Sequence, residues 1–305
     1  MAMTHGPFHP GERTAQERAG VARMADRIGG SIHSGIPERA ADFLDEATLV
    51  VLATTDPAGR PWASVLTGAP GFIRALDAER VVISAQPAPG DPLAANLADS
   101  THVGLLVPDF TTRRRVRLNG RVERGPKGEI VIRPDQVYAN CPKYIQRRAP
   151  GEPLGRPTSS PPVRSRSLTE AQRRGLRRTD TFFLATANPG EGADASHRGG
   201  TPGFLQVEGD AVRWPDYSGN MMFNTIGNIV AHPWAGLTVP DFGTGDLLLL
   251  TGSAAVEWQP TPTEREAGAE RMLRLEVAEA IELRGALGLT ARLLEPSPHN
   301  PARVP

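Results

Sequence analysis

Apolar positions along this chain come in short runs and in alternation with polar ones, seldom in long helical stripes. Residues 48–54 (Thr-Leu-Val-Val-Leu-Ala-Thr) read as a buried strand, turned by Asp56-Pro57-Ala58-Gly59 into a hairpin. Further strands are predicted over 62–66, 72–75, 81–85, 102–107, 115–123 and 129–133, with a short helix over 91–99. Residues 11–28 carry Ala15, Ala19, Ala22, Ala25 and Ile28 at helical spacing, closed by Gly29-Gly30, and Pro37 opens a second helix through Ala47. Residues 271–282 are predicted as a long closing strand, although their alanines and glutamates also suit a helix. The pattern is mainly β with minor α.

This pattern occurs twice. Leu52-Ala53-Thr54 returns as Leu184-Ala185-Thr186, Pro70-Gly71-Phe72 as Pro202-Gly203-Phe204, and Asn96 as Asn228. Val107-Pro108-Asp109-Phe110 returns as Val239-Pro240-Asp241-Phe242, and Gly120 as Gly252, every pair at an offset of 132. A constant offset across separate matches marks a tandem duplication. The expected organisation is an N-terminal helical arm over 1–36, a first copy over 37–147, a Pro/Ser/Arg-rich linker over 148–167 and a second copy over 168–305.

Composition narrows the function. The 305 residues hold 34 basic and 34 acidic side chains, so no global field draws nucleic acid or an anionic membrane, and any anion site must be local. The single cysteine, Cys141, rules out an intrachain disulfide framework, and the seven histidines show no metal-site spacing. No run approaches the roughly 18 apolar residues of a membrane span, and the first residues lack the apolar core of a secretory signal. A soluble, cytoplasmic protein is expected.

Where the copies differ, only one carries the chemistry of an anion site. Ser196-His197-Arg198-Gly199-Gly200 stands opposite Ser64-Val65-Leu66-Thr67-Gly68, which lacks both the cation and the imidazole. Phe223-Asn224-Thr225, opening a short helix, stands opposite Asp91-Pro92-Leu93, whose aspartate would repel a phosphate. Arg113, Arg115 and Arg117 of the first copy alternate onto one strand face, with Arg114 on the other, and that face is expected either to reach over the second copy's site or to be solvated. His197 and Cys141 are weak catalytic candidates, each also readable as a structural side chain. The run Met221-Met222-Phe223 reads as core, and Gly190-x-Gly192-x-x-Ala195 as a hairpin turn, not a dinucleotide fingerprint.

These residues resemble the pyridoxamine 5′-phosphate oxidase-like family of FMN-binding split barrels. The resemblance rests on Ser196-His197-Arg198-Gly199-Gly200-x-Pro202-Gly203-Phe204, Pro215-Asp216-Tyr217-Ser218-Gly219-Asn220, Asn228-Ile229-x-x-His232-Pro233 and Tyr138-Ala139-Asn140-Cys141-Pro142-Lys143, with its strongest part over 194–252. The leader Phe8-His9-Pro10-Gly11-Glu12 is similar to that of a tandem branch. The resemblance implies two six-stranded split β-barrels packed as an intramolecular pseudo-dimer, one intact flavin site and one eroded one. It further implies an FMN-dependent oxidoreductase acting on a small organic substrate, with a reductase or ferredoxin-type electron donor as a candidate partner, either a monomeric pseudo-dimer or a homodimer. The residues it assigns to the cofactor are Ser196, His197, Arg198, Gly199, Asn220, Asn224 and Thr225, with Arg115 and Lys143 closing the site. His197 stands where relatives often have proline. A non-catalytic flavin carrier, or a haem-binding barrel using His9, His102, His197 or His232, is the alternative.

Overall fold

The computed structural model describes residues 6–125, 128–154 and 160–301. The chain opens with helices α1 (Pro10–Arg18), α2 (Ala22–Gly29) and α3 (Glu38–Asp45). The first copy follows as β1 (Leu49–Thr55), β2 (Pro61–Thr67), β3 (Ile73–Asp77), β4 (Arg80–Ile83), α4 (Leu93–Asp99), β5 (His102–Asp109), β6 (Arg114–Arg124) and β7 (Ile130–Ala139). Then come β8 (Arg147–Pro153), β9 (Val163–Ser165) and α5 (Glu170–Arg178). The second copy is β10 (Thr181–Asn188), β11 (Gly192–Gly199), β12 (Gln206–Glu208), β13 (Ala211–Tyr217), α6 (Asn224–Ala231), β14 (Trp234–Pro240) and β15 (Leu247–Glu257). It closes with α7 (Pro262–Glu266), β16 (Ala269–Leu283) and β17 (Leu289–Glu295).

The duplication is written in the strand order. One sheet runs β2-β1-β5-β6-β7-β4-β3 and the other β11-β10-β14-β15-β16-β13-β12, the same path with each strand replaced by its counterpart. Each path has seven strands where six are implied, because a short edge strand, β3 or β12, extends it. Both copies are antiparallel split barrels, each around its own core. Val50, Leu52, Leu105 and Leu118 fill the first, and Phe182, Leu184, Trp214 and Leu273 fill the second.

Strand alternation explains why β1 and β10 are almost wholly apolar. Val50 and Leu52 face the first barrel's interior, while Leu49, Val51 and Ala53 join Phe183, Ala185 and Ala187 in a third core between the barrels. A strand buried on both faces loses its polar side. Two glycines set the distance between barrels: a Cβ on Gly104 would lie 2.7 Å from the Ala193 carbonyl oxygen, and one on Gly236, its counterpart, 2.3 Å from that of Pro61. Ala193 and Pro61 are themselves counterparts, so the contact repeats about a pseudo-two-fold axis.

Several expectations change. The single N-terminal helix is two, broken where Gly20 turns at φ 72°. The stretch expected as a linker is partly strand: β8 pairs with β17, and β9 with β16, so the connection is stitched to the second copy. Its residues 155–159 lie outside the described residues. The 132 offset also stops at the ends of β6 and β15, where Arg124 still answers Val256. Beyond them β7 corresponds to β16 at an offset of 143, Pro134 and Val277 sitting opposite the equivalent Gly120 and Gly252. The extra residues carry α7.

Candidate functional site

One cavity of about 520 Å³ opens between the barrels, and all of Ser196, His197, Arg198, Gly199, Asn220, Asn224, Thr225, Arg115, Lys143 and Cys141 line it. β11 supplies Ser196 to Gly199, α6 supplies Asn224 and Thr225, and β6 of the other barrel supplies Arg115 and Arg117. The chain after β7 adds Asn140, Cys141 and Lys143. Arg113 and Arg114 do not reach it. Arg113 turns away at φ 57° to bond the Ile145 carbonyl and Glu295, and Arg114 lies over the Phe43 ring.

The lining is strongly cationic although the whole chain is neutral. Arg115, Arg117, Lys143, Arg198, Arg265 and Arg271 face the cavity against the carboxylates of Asp216 and Glu270. Arg117 pairs with buried Asp194 at 3.4 Å. Arg198 donates to Asp216 Oδ1 at 2.8 Å, and Arg271 takes the other oxygen at 2.8 and 3.0 Å, so one carboxylate holds two guanidiniums apart. Arg271 also stacks over Phe223, 4.7 Å from the ring centre. Among the described residues no carboxylate pairs with Arg115. Burial and repulsion from Arg117 and Arg198 hold its pKa below the ordinary arginine value. Its guanidinium instead meets His197 Nδ1 at 2.9 Å.

Backbone geometry reinforces this charge. Helix α6 starts from Phe223 at φ 65°, and no side chain caps it, so the first N–H groups are left to a ligand or water. Met221 and Tyr144, also on the cavity wall, take φ values of 59° and 66°. Left-handed backbone at bulky residues costs free energy and gathers at binding sites. Met222 is core, as expected of this run, but its neighbours Met221 and Phe223 are walls of the cavity. Ser196 and Thr225 face each other with hydroxyl oxygens 3.3 Å apart.

The pseudo-symmetric position in the first barrel is filled by the protein itself. Ser64, the counterpart of Ser196, donates to Asp91 Oδ1 at 2.5 Å, and the Leu93 N–H, counterpart of Thr225, donates to the same oxygen at 2.8 Å. Burial pushes the Asp91 carboxyl up to about 6, opposed by those two bonds. The open site's cations have no counterparts around it: Arg115 and Arg117 become Leu247 and Leu249, His197 becomes Val65, and Arg198 becomes Leu66, every one buried. Ala286 and Leu287, at the counterparts of Lys143 and Tyr144, complete the plug.

The N-terminal arm forms the back wall, a part the sequence did not assign to the site. α1 packs on α6 through glycines: a Cβ on Gly227 would lie 2.5 Å from Glu12 Cα, and one on Gly11 2.4 Å from the Gly227 carbonyl oxygen. Glu12 accepts from Asn224 Nδ2 at 2.6 Å and from the His9 N–H at 2.7 Å. Burial drives its carboxyl up to about 8. The available signal was a glycine in the first turn of a helix, which reports close approach. Asn224 continues to Tyr138 and Arg117 through contacts of 3.4 Å, joining arm, helix and both barrels.

The histidines named for haem ligation are dispersed. His9 meets Asn228 at 2.9 Å, His102 meets Thr101 at 3.1 Å, and His232 meets the Gly59 carbonyl at 3.0 Å; only His197 enters the cavity. Among the described residues no group of three or more His, Cys, Asp or Glu is placed to hold a metal ion. Among them, too, no helix is long and apolar enough to cross a membrane.

Two antiparallel split barrels in one chain, with a cationic cleft kept open on one side of their interface, define the class of this protein. Residues 36–152, just over a third of the chain, match the pyridoxamine 5′-phosphate oxidase family model, and that segment is of the pyridoxamine 5′-phosphate oxidase-like family. The match falls on the first copy, whose cleft is plugged, and not on 194–252, where the motif resemblance is strongest. Among solved structures, HupZ of Group A Streptococcus is 11% identical, with 41% of this chain and 100% of that chain covered and a TM-score of 0.32. A putative pyridoxamine 5′-phosphate oxidase from Lactobacillus delbrueckii is 15% identical, covering 38% of this chain and 94% of that one, with a TM-score of 0.31. A FAD-binding protein from Mesorhizobium loti is 11% identical, covering 39% and 97%, with a TM-score of 0.27. A comparison with curated protein sequences finds no match.

Proposed function

We propose that the chain is an FMN-binding oxidoreductase with one working site, the inter-barrel cavity, and a small organic substrate. The observation that carries this reading is Asp91. In the first barrel a serine hydroxyl and a helix N–H hold an internal carboxylate. The second barrel keeps the equivalent donors, Ser196 and the Thr225 N–H, but has Phe223 in place of the acid and adds Arg198, Arg115 and Lys143 around the space. Donors arranged for an anion, without an anion of their own, suit an external phosphate. A cavity of about 520 Å³ lies within the roughly 300–1,000 Å³ common for small-molecule sites.

Ser196, Thr225, the start of α6 and Arg198 would take the phosphate, and Arg115 and Lys143 would close over it from the first barrel. The Arg198 Nε atom is buried without a partner, as is His197 Nε2, so the protein's own groups leave donors unspent at this place. Bound there, a flavin supplies the hydride or electron transfer, while the protein supplies orientation and charge.

The absorption spectrum of the purified protein, followed by denaturation and identification of the released molecule, tests this. A two-band yellow spectrum releasing FMN supports it. A protein that is colourless and does not bind added FMN refutes it. Reduction of bound flavin, then reoxidation by a specific acceptor, distinguishes an enzyme from a carrier.

A further inference from the structure

We propose that His197 is a positioning residue: a neutral imidazole of the second barrel whose Nδ1 accepts a hydrogen bond from Arg115 and so fixes that guanidinium of the first barrel at the cavity wall. This deepens the reading of the cavity as an anion site and rests on it for the ligand, though not for the pair itself.

Three arginines crowd this part of the cleft and are restrained differently. Arg117 has Asp194 and Arg198 has Asp216, at 3.4 and 2.8 Å. Among the described residues Arg115 has His197 alone, at 2.9 Å. A carboxylate at that place would neutralise the charge that an incoming anion needs. A protonated imidazole would repel the guanidinium. A neutral acceptor does neither, and it holds a long side chain against the push of Arg117 and Arg198.

The protonation state follows from donor chemistry. A guanidinium only donates, so Nδ1 must carry the lone pair and the proton must sit on Nε2. The charged groups that face the ring are Arg115 and Arg117 from β6, Arg198 beside it on β11, and Arg148 from β8. Burial, and after it the repulsion of these four cations, keeps the imidazole well below its ordinary pKa. Phe110 and Phe183 close the remaining sides, with ring centres 6.0 and 6.3 Å away. At the plugged site both partners have changed together, to Val65 and Leu247. The pair behaves as one unit, present where the cleft is open and replaced by two aliphatic side chains where it is filled.

Two measurements decide it. Nitrogen-15 NMR of histidine-labelled full-length protein without ligand should find His197 as the neutral Nε2–H tautomer from pH 8 to pH 5.5. An Nδ1–H tautomer, or titration near 6.5, overturns the proposal. The second is a double-mutant cycle on binding of FMN and of inorganic phosphate, with thermal melts confirming folding. His197→Leu and Arg115→Met should each weaken binding by about 10- to 100-fold, the double variant should be no worse than either, and His197→Asn, which keeps an acceptor near the Nδ1 position, should stay within about threefold of wild type. Additive losses, or His197→Asn as impaired as His197→Leu, overturn it. If the wild type binds neither probe, the anion-site reading fails, and the tautomer measurement still judges the pair.

Discussion

Gly199 and Tyr144 approach so closely that no side chain fits between them: a Cβ on Gly199 would lie 2.1 Å from the Tyr144 carbonyl oxygen. At the plugged site the counterpart of Gly199 is Thr67, whose hydroxyl bonds the Leu287 carbonyl at 2.9 Å, with Leu287 standing where Tyr144 stands. A glycine keeps the wall thin on the open side, and a threonine rivets it on the closed side. Gly199→Ala is therefore expected to push the Tyr144 segment out of place. Its backbone clash should cost about 1–3 kcal/mol of stability by thermal or denaturant unfolding. It should also weaken FMN binding, because Cys141 and Lys143 sit on the displaced segment.

One ligand per chain is the second expectation. Leu247, Leu249, Val65 and Leu287 fill the pseudo-symmetric position, and Asp91 occupies its anion donors. Titration calorimetry with FMN should give a stoichiometry near one. A value near two would show that the leucine plug opens in solution.

Asp194 and Arg117 form a buried pair at 3.4 Å, one charge from each barrel. Removing one partner leaves the other charge buried and alone, at a cost of about 3–5 kcal/mol. Asp194→Asn should lower stability on that scale. The double change Arg117→Leu with Asp194→Ala, moving toward the Leu249 and Trp62 of the other site, should recover most of it in denaturant melts while weakening anion binding.

Glu12 should imprint a pH dependence on stability. Its carboxyl, ordinarily near 4.5, is pushed up to about 8, chiefly by burial. Between those values the folded chain holds a proton that the unfolded chain has released, so this group's contribution is full below about pH 4.5 and falls as pH rises to about 8. The slope is at most about 1.4 kcal/mol per pH unit. Melts of wild type and Glu12→Gln across that window should show the slope only in the wild type. Parallel curves would mean that Glu12 is already ionised at neutral pH.

The duplication was legible because both copies kept their turns and strand ends in step as far as Gly252. What followed was hidden, since the residues that add α7 shift the offset to 143 and obscure that Leu287 answers Tyr144. The second copy's site could be read from its polar residues, as Arg198, Asn224 and Thr225 stand opposite Leu66, Pro92 and Leu93, and Phe223 opposite the acid Asp91. The arm could not. Its alanine stripe announces a helix with a buried face, but a 3.6-residue period carries no information about which surface it meets. Likewise the Arg113–Arg117 alternation was correct for a straight strand, and failed only at Arg113, where the backbone turns over before β6 begins.

In an assembly of two identical chains, a leucine that seals one cleft seals both. Joining the barrels in one polypeptide removes that constraint: Leu247 can stand where Arg115 stands, and α7 can wall one cleft while the first copy has about eleven fewer residues between the corresponding strands. The fused pair thus keeps the two-fold packing of Gly104 and Gly236 while giving its two clefts opposite linings, one open and cationic and the other closed by leucines around an internal carboxylate.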